Sequence, residues 1–198
     1  LPFYQQKIIH LAYGGFIFWA LYTAAGSFFI FKLRTFKLNS IDNFFIFTPW
    51  TFFIYVSYFF YLIITFLAFP DYKTIRYYVK YFSIIVGLHT IAFVFFPVAA
   101  PRPSDITGNS LGIYIAHFIY CSDSVANSFP SLHVTLTFFS CFVISKLYRY
   151  LTIPFFIWAV AIAISTMTTK QHYFYDVIAG IIIAVLFFIP THKQMNSG

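Results

Sequence analysis

Glutamate is absent from this chain. All five acidic residues are aspartates, set against 12 lysines and arginines, and charged residues make up only 9% of the 198 positions. A soluble globule carries about 25% charged residues, so this composition cannot cover a water-facing surface. Cysteine is scarce as well. Cys121 falls in a loop, Cys141 within an apolar run, and no CxxC occurs, which argues against a disulfide framework. No internal repeat is evident. The opening residues LPFYQQK do not resemble a signal n-region, and the first apolar run is too long for an h-region. The chain lacks an initiator methionine, as expected of a trimmed or processed product.

What the chain has is apolar surface: 61% hydrophobic residues, 25% aromatic and a mean hydropathy of +0.81. A span needs about 20 largely apolar residues. Apolar runs fall at 8–31, 44–69, 75–96, 131–145, 151–168 and 173–189. Lipid excludes unpaired backbone, so the expectation is an all-α polytopic membrane protein. It has one domain over 1–198, with six transmembrane helices and both termini on one side. The fourth run is short and carries Ser131, Thr135, Thr137 and Ser140, so it is expected to face the bundle interior. A long loop, 97–130, separates the third and fourth helices, and a segment this long is usually functional or disordered. Within it LGIYIAHFIY reads as a short interfacial or re-entrant helix.

The net charge of +7 does not imply nucleic acid. The basic residues lie in short loops between apolar runs, where they set topology and meet anionic lipid. With cytoplasmic termini that side holds Lys7, Lys73, Arg76, Lys80, Lys146, Arg149 and Lys193. The other side holds Lys32, Arg34, Lys37, Arg102 and Lys170, seven against five. The count favours termini inside, although the three basic residues of the first loop weigh against it.

Three polar clusters stand at span ends that this topology places on one face: PRPSD with Arg102, FPSLHV with Ser131 and His133, and KQHYFYD with Lys170, His172 and Asp176. Ionisable groups gathered in a membrane bundle point to a functional site. His172 and Asp176 are four apart and share a face if helical. Asp176 can then orient the imidazole and leave the other ring nitrogen free to attack. Ser131 suits an N-cap, and Pro130 stops the helix running backwards. The first-turn amides form an anion site, and Arg102 can grip an anion with two N–H groups. Each cluster alone has a plain structural reading: a rigid loop, a capped helix start, helix-end polarity. A lone membrane histidine is more often packing, the reading for His10, His89 and His117. Two histidines and an aspartate also suit a metal, but Arg102 and Lys170 nearby would repel a cation, so the metal reading ranks below phosphate. Membrane His and Asp also serve proton relays and transporters. Those spread ionisable groups through the membrane depth, whereas here they cluster at one face.

Together these residues resemble the type 2 phosphatidic acid phosphatase superfamily, which includes the vanadium haloperoxidases. Its signatures are K-x6-RP, PSGH and SR-x5-H-x3-D. Here RP is Arg102-Pro103, PSLH runs from Pro130 to His133, and H-x3-D is His172 to Asp176, with Ser165 seven residues ahead of the histidine. Three positions depart. The signature lysine is Phe95, the PSGH glycine is Leu132 and the signature arginine is Thr166. Two of three expected phosphate-binding cations are therefore missing, and Lys170 is the candidate replacement. FPSLHV and HYFYDVIAG look more like the branch of inositol phosphorylceramide synthases, and HYFYDV is similar to the H-Y-x-x-D of sphingomyelin synthases.

The resemblance implies a lipid phosphatase or phosphotransferase embedded in a plasma or bacterial inner membrane, its site on the extracytoplasmic face. It implies His172 as nucleophile, Asp176 as its orienting carboxylate and His133 as proton donor and acceptor. Arg102, Ser131, the Leu132 N–H and Lys170 would hold the phosphoryl oxygens. The expected partners are a phospholipid or other lipid phosphate and the bilayer. No cofactor or metal is implied, and the acceptor is water or an alcohol. A catalytically dead scaffold of the same fold is the rival that the missing cations suggest, and retention of both histidines and the aspartate argues against it.

Overall fold

The computed structural model describes residues 2–196. They form α1 (Phe3–Ser27), α2 (Ser40–Phe44), α3 (Phe52–Leu67), α4 (Tyr72–Phe95), α5 (Leu111–Ser122), α6 (Leu132–Leu147), α7 (Thr152–Thr168) and α8 (Phe174–Asn196). Short 3-10 turns at Pro49–Thr51 and Arg149–Leu151 lead into α3 and α7. The described residues contain no β-strand, only isolated bridges from Val98 to Arg34 and Asn127.

Polar residues at the edges of apolar runs set the helix starts. Asp71 accepts from the Thr74 N–H at 2.8 Å and opens α4. Ser110 opens α5 and Ser131 opens α6 in the same way. In the first loop Asn39 and Asp42 cap each other's backbone and close the separate short helix α2. That capping box moves the second apolar run: it begins as helix at Pro49, not at 44. The short helix expected inside 97–130 is α5.

Among the described residues five helices, not the expected six, are long and apolar enough to cross a membrane: Phe3–Ser27, Pro49–Leu67, Tyr72–Phe95, Arg149–Thr168 and Phe174–Met195. The exception is α6. Its 16 residues rise about 24 Å, short of a hydrocarbon core of about 30 Å. It lies at the centre, with twelve of those residues buried, against α3, α4, α7 and α8. A helix sheathed by other helices can carry hydroxyls if each finds a partner. Thr135 and Thr137 donate back to the carbonyls of Ser131 and His133 at 2.9 and 2.7 Å, and Ser140 pairs with the Tyr78 hydroxyl at 2.7 Å. Gly180 lets α8 close on the start of α6, because a Cβ there would stand 2.8 Å from the Ser131 carbonyl oxygen. By contrast α1 buries only Gly14 and Ala25. It packs along α4 and barely touches α3.

Backbone bonds gather the helix ends that carry the polar clusters. Thr48 N–H donates to Thr168, Ser131 N–H to Asp176 and Arg34 N–H to Pro97, at 2.9, 3.1 and 3.0 Å. The end of α4 and the starts of α3, α6 and α8 thus meet the end of α7.

Candidate active site

The corner between α7 and α8 holds His172. The Thr166 carbonyl accepts the N–H groups of both Gln171 and His172, at 3.0 and 3.1 Å. Lys170 takes the left-handed φ of 54° needed to turn the chain so tightly. Asp176 Oδ2 then accepts the Tyr173 N–H at 2.8 Å and starts α8. His172 therefore precedes the helix. It meets Asp176 because the carboxylate folds back over the corner, not because the two share a helical face.

The imidazole is held from one side. Its Nδ1 lies 2.8 Å from the Ser128 carbonyl oxygen and 3.3 Å from Asp176 Oδ2. A carbonyl can only accept, so Nδ1 carries the hydrogen and Nε2 the lone pair. Among the described residues Nε2 has no hydrogen-bond partner. The Ser128 hydroxyl donates to Asp176 Oδ2 in a short bond, so Ser128 supports the histidine twice, directly and through the carboxylate. Asp176 is wholly buried, and its Oδ1 has no partner among the described residues.

His133 sits in the first turn of α6, its ring 5.9 Å from that of His172 in an edge-to-face arrangement. Tyr55 and Tyr58 of α3 flank it at 4.7 and 4.6 Å. Ser131 caps the helix by accepting the Val134 N–H at 3.3 Å. Among the described residues the N–H groups of Leu132 and His133 bond to nothing, so two amides at a helix N-terminus point toward the two rings' end of the bundle. That is the geometry of an oxyanion site.

The cations are placed differently from the expectation. Arg102 Nε donates to Gln171 Oε1 at 2.8 Å, Nη1 to the carbonyls of Tyr120 and Asp123 at 3.1 Å each, and Nη2 to the Ser124 carbonyl at 3.4 Å. Asp123 lies 3.7 Å away as its counter-ion. Four of the five guanidinium hydrogens thus already face protein acceptors, and a two-pronged grip on phosphate needs some of them exchanged. Burial raises the Asp123 pKa, partly offset by the Tyr22 hydroxyl and by Arg102. Lys170 Nζ donates to the Asp42 carbonyl at 3.0 Å and forms no hydrogen bond or ion pair with the histidines or Arg102. Desolvation lowers its pKa, and Asp42 opposes the shift. Asp42 Oδ1 also accepts the Phe174 N–H at 2.7 Å, so Lys170 belongs to a latch between the first loop and the start of α8. Phe95 packs on Phe31 at 6.3 Å, and Thr166 serves the corner, so neither position offers a cation.

The structure therefore brings together His172, Asp176, His133, Ser131 and Leu132. Arg102 joins them through Gln171, and Lys170 stands apart. Sequence reasoning missed Ser128, Tyr55, Tyr58, Asp123, Gln171 and Asp42. Ser128 and Gln171 lie inside or beside the motifs, but the four others come from α3 and two loops and carry no local signal. Among the described residues no three His, Cys, Asp or Glu side chains converge to hold a metal.

No curated protein and no solved structure matches the chain. The family model described as the PAP2 superfamily matches residues 45–189, which include Arg102, Ser131, Leu132, His133, Lys170, His172 and Asp176 and leave out α1, α2 and Asp42. A match of that extent, together with the two histidines, the aspartate and the capped helix in their places, makes this chain a member of the type 2 phosphatidic acid phosphatase superfamily.

Proposed function

We propose that the chain is an integral-membrane phosphotransferase or phosphatase that cleaves a lipid phosphate ester through a phosphohistidine at His172. The observation that carries this reading is the His172 ring itself. Its Nδ1 is tied to acceptors on two segments, its Nε2 is unbonded, and a second imidazole and two unpaired amides lie beside it.

In the first step the Nε2 lone pair forms the N–P bond as the P–O bond to the leaving alcohol breaks. His133 gives that alkoxide a proton. The phosphate charge between the rings favours the imidazolium form of His133 that this step needs. The Leu132 and His133 amides stabilise charge on the phosphoryl oxygens, and Arg102 adds to them where the phosphate displaces one of its present acceptors. The positive charge left on His172 is balanced by Asp176. In the second step His133 takes a proton from water or an acceptor alcohol. The new oxygen bonds phosphorus, and the N–P bond breaks.

A diester-specific head-group transfer, as in the branch of inositol phosphorylceramide and sphingomyelin synthases, is the narrower reading. One observation favours it: Arg102 is neutralised by Asp123, and Lys170 is engaged with Asp42. A site this poor in free cations suits a phosphodiester monoanion better than a monoester dianion.

The test uses purified protein in lipid vesicles with radiolabelled phosphatidate, prenyl pyrophosphate and phosphodiester lipids, with and without an acceptor alcohol. Vanadate-sensitive turnover, and a labelled protein lost in His172→Ala, are expected. Release of product with no labelled protein under rapid quenching, or undiminished activity of the variant, would overturn the mechanism.

A further inference from the structure

We infer that the laterally open cavity bounded by α1, α3 and α4 holds a hydrocarbon chain of the substrate lipid, with Tyr58 as the wall between chain and chemistry. This rests on the reading of the site as a lipid phosphotransferase and adds where the tail goes. The cavity measures about 150 Å³, and its lining includes Gly14 and Phe18 of α1, Tyr58, Leu62 and Phe66 of α3, and Phe82 of α4. Those three helices are among the five able to cross a membrane, so the neighbours of this space are lipid tails. An apolar cavity of such a size stays dry and accepts apolar guests.

Three observations favour a tail that belongs to the substrate. First, the cavity has a lateral gap, because α1 packs along α4 and barely touches α3. Second, α1 presents two glycines to it. A Cβ built on Gly14 or Gly15 meets nothing within 4 Å, so the notch is wider than helix packing requires. Third, the cavity is parted from the site by one residue. Tyr58 lines it and also lies 4.6 Å from the His133 ring. Its hydroxyl is buried with no partner among the described residues, so no hydrogen bond holds the ring in place. From Tyr58 the space runs toward Phe66 on α3, and from Phe18 toward His10 on α1. Eight residues along a helix is about 12 Å. The path leads from beneath His133 toward the opposite end of the bundle, the direction a tail takes when its phosphate lies between His133 and His172.

The test fills the notch. Gly14→Leu on α1 and, from the facing wall, Leu62→Trp are assayed against two substrates with one head group, a long-chain lipid and a short-chain, water-dispersible analogue. Both variants should lower kcat/KM for the long chain by about tenfold or more, mainly through KM, and leave the short chain within about twofold. Equal losses on both substrates, or none on either, would overturn the proposal.

A readout independent of turnover uses a lipid carrying a diazirine at the chain end. Adducts, mapped to single residues, should fall on the cavity-lining Phe18, Leu62 and Phe66 and disappear in Gly14→Leu. Adducts confined to the outward residues Tyr13, Phe16 and Trp19, unchanged in the variant, would mean ordinary bilayer contact and refute the cavity assignment. If wild-type protein turns over neither substrate, the enzymatic reading fails, while the adduct pattern still decides whether the cavity takes a chain.

Discussion

Replacing Asp176 by asparagine separates two ways of orienting a histidine. Where a carboxylate alone fixes the ring, the amide reverses the tautomer and turnover falls by about 10⁴. Here the shorter contact to Nδ1 is the Ser128 carbonyl at 2.8 Å, and the carboxylate stands at 3.3 Å. That carbonyl survives the substitution, so Nδ1 keeps its hydrogen and Nε2 its lone pair. The asparagine oxygen, placed where Oδ2 was, still accepts from Tyr173 N–H and the Ser128 hydroxyl. What disappears is one charge-assisted bond to the imidazolium that develops during transfer, worth about 1.5–3 kcal/mol. The expected loss is therefore about 10- to 150-fold in kcat, with a monodisperse, folded protein. His172→Ala, which removes the attacking atom, should abolish turnover in the same preparation. Initial rates of head-group or phosphate release from mixed micelles read both. If Asp176→Asn is as inactive as His172→Ala while remaining folded, the Ser128 carbonyl does not hold the tautomer and the argument fails.

Four further outcomes are expected. Lys170→Gln should leave rates on a monoester and a diester within about twofold, under about 0.5 kcal/mol of barrier; a tenfold loss confined to the monoester would restore Lys170 as a phosphate ligand. Asp42→Ala removes a buried cap from the Phe174 N–H and should lower stability by about 1–2 kcal/mol, read as an earlier midpoint of thermal inactivation. Burial raises Asp123, so the folded chain keeps that proton to higher pH than the unfolded one. Its contribution is full at low pH and declines as pH rises from about 4 through the folded value, and Asp123→Asn should flatten that part of the pH–stability curve. In a chain lacking Cys121 and Cys141, a single cysteine in the 97–130 loop should label from outside intact cells, and one beside Lys146 only after permeabilisation. The reverse would place the site on the cytoplasmic face.

Helices and motifs were legible where one short stretch carries its own instructions. Asp71, Ser110 and Ser131 start helices by bonding three residues ahead, and the stretches FPSLHV and KQHYFYD marked His133, His172 and Asp176 as candidates, although His172 and Asp176 meet across a corner rather than on the helical face expected. At α6 the hydroxyls of Thr135, Thr137 and Ser140 marked a helix turned to the bundle interior, and it is buried by four neighbours. What the apolar run did not convey is its length as a helix, 16 residues, shorter than the five helices able to cross a membrane. The fate of the cations was illegible for a different reason. A charge reads the same in sequence whether it faces a ligand or its own chain. The partners of Arg102 lie 18 to 69 residues away and that of Lys170 lies 128 away. Tyr55 and Tyr58, which enclose His133, are two aromatics in a run of them.

The acceptors around Arg102 are part of the chain itself, three main-chain carbonyls and a glutamine amide with an aspartate behind them. An oxyanion that seeks this guanidinium must displace groups already in register. Inorganic phosphate brings charge and nothing else to that exchange, whereas an amphiphile is also held at its other end. On the proposed reading this arrangement screens by anchorage, and soluble phosphates of the surrounding water should bind poorly as competitors. On the proposed mechanism the phosphoryl group stays on His172 after the tail departs, and once the N–P bond breaks it has no anchor left, so product inhibition by free phosphate should be weak.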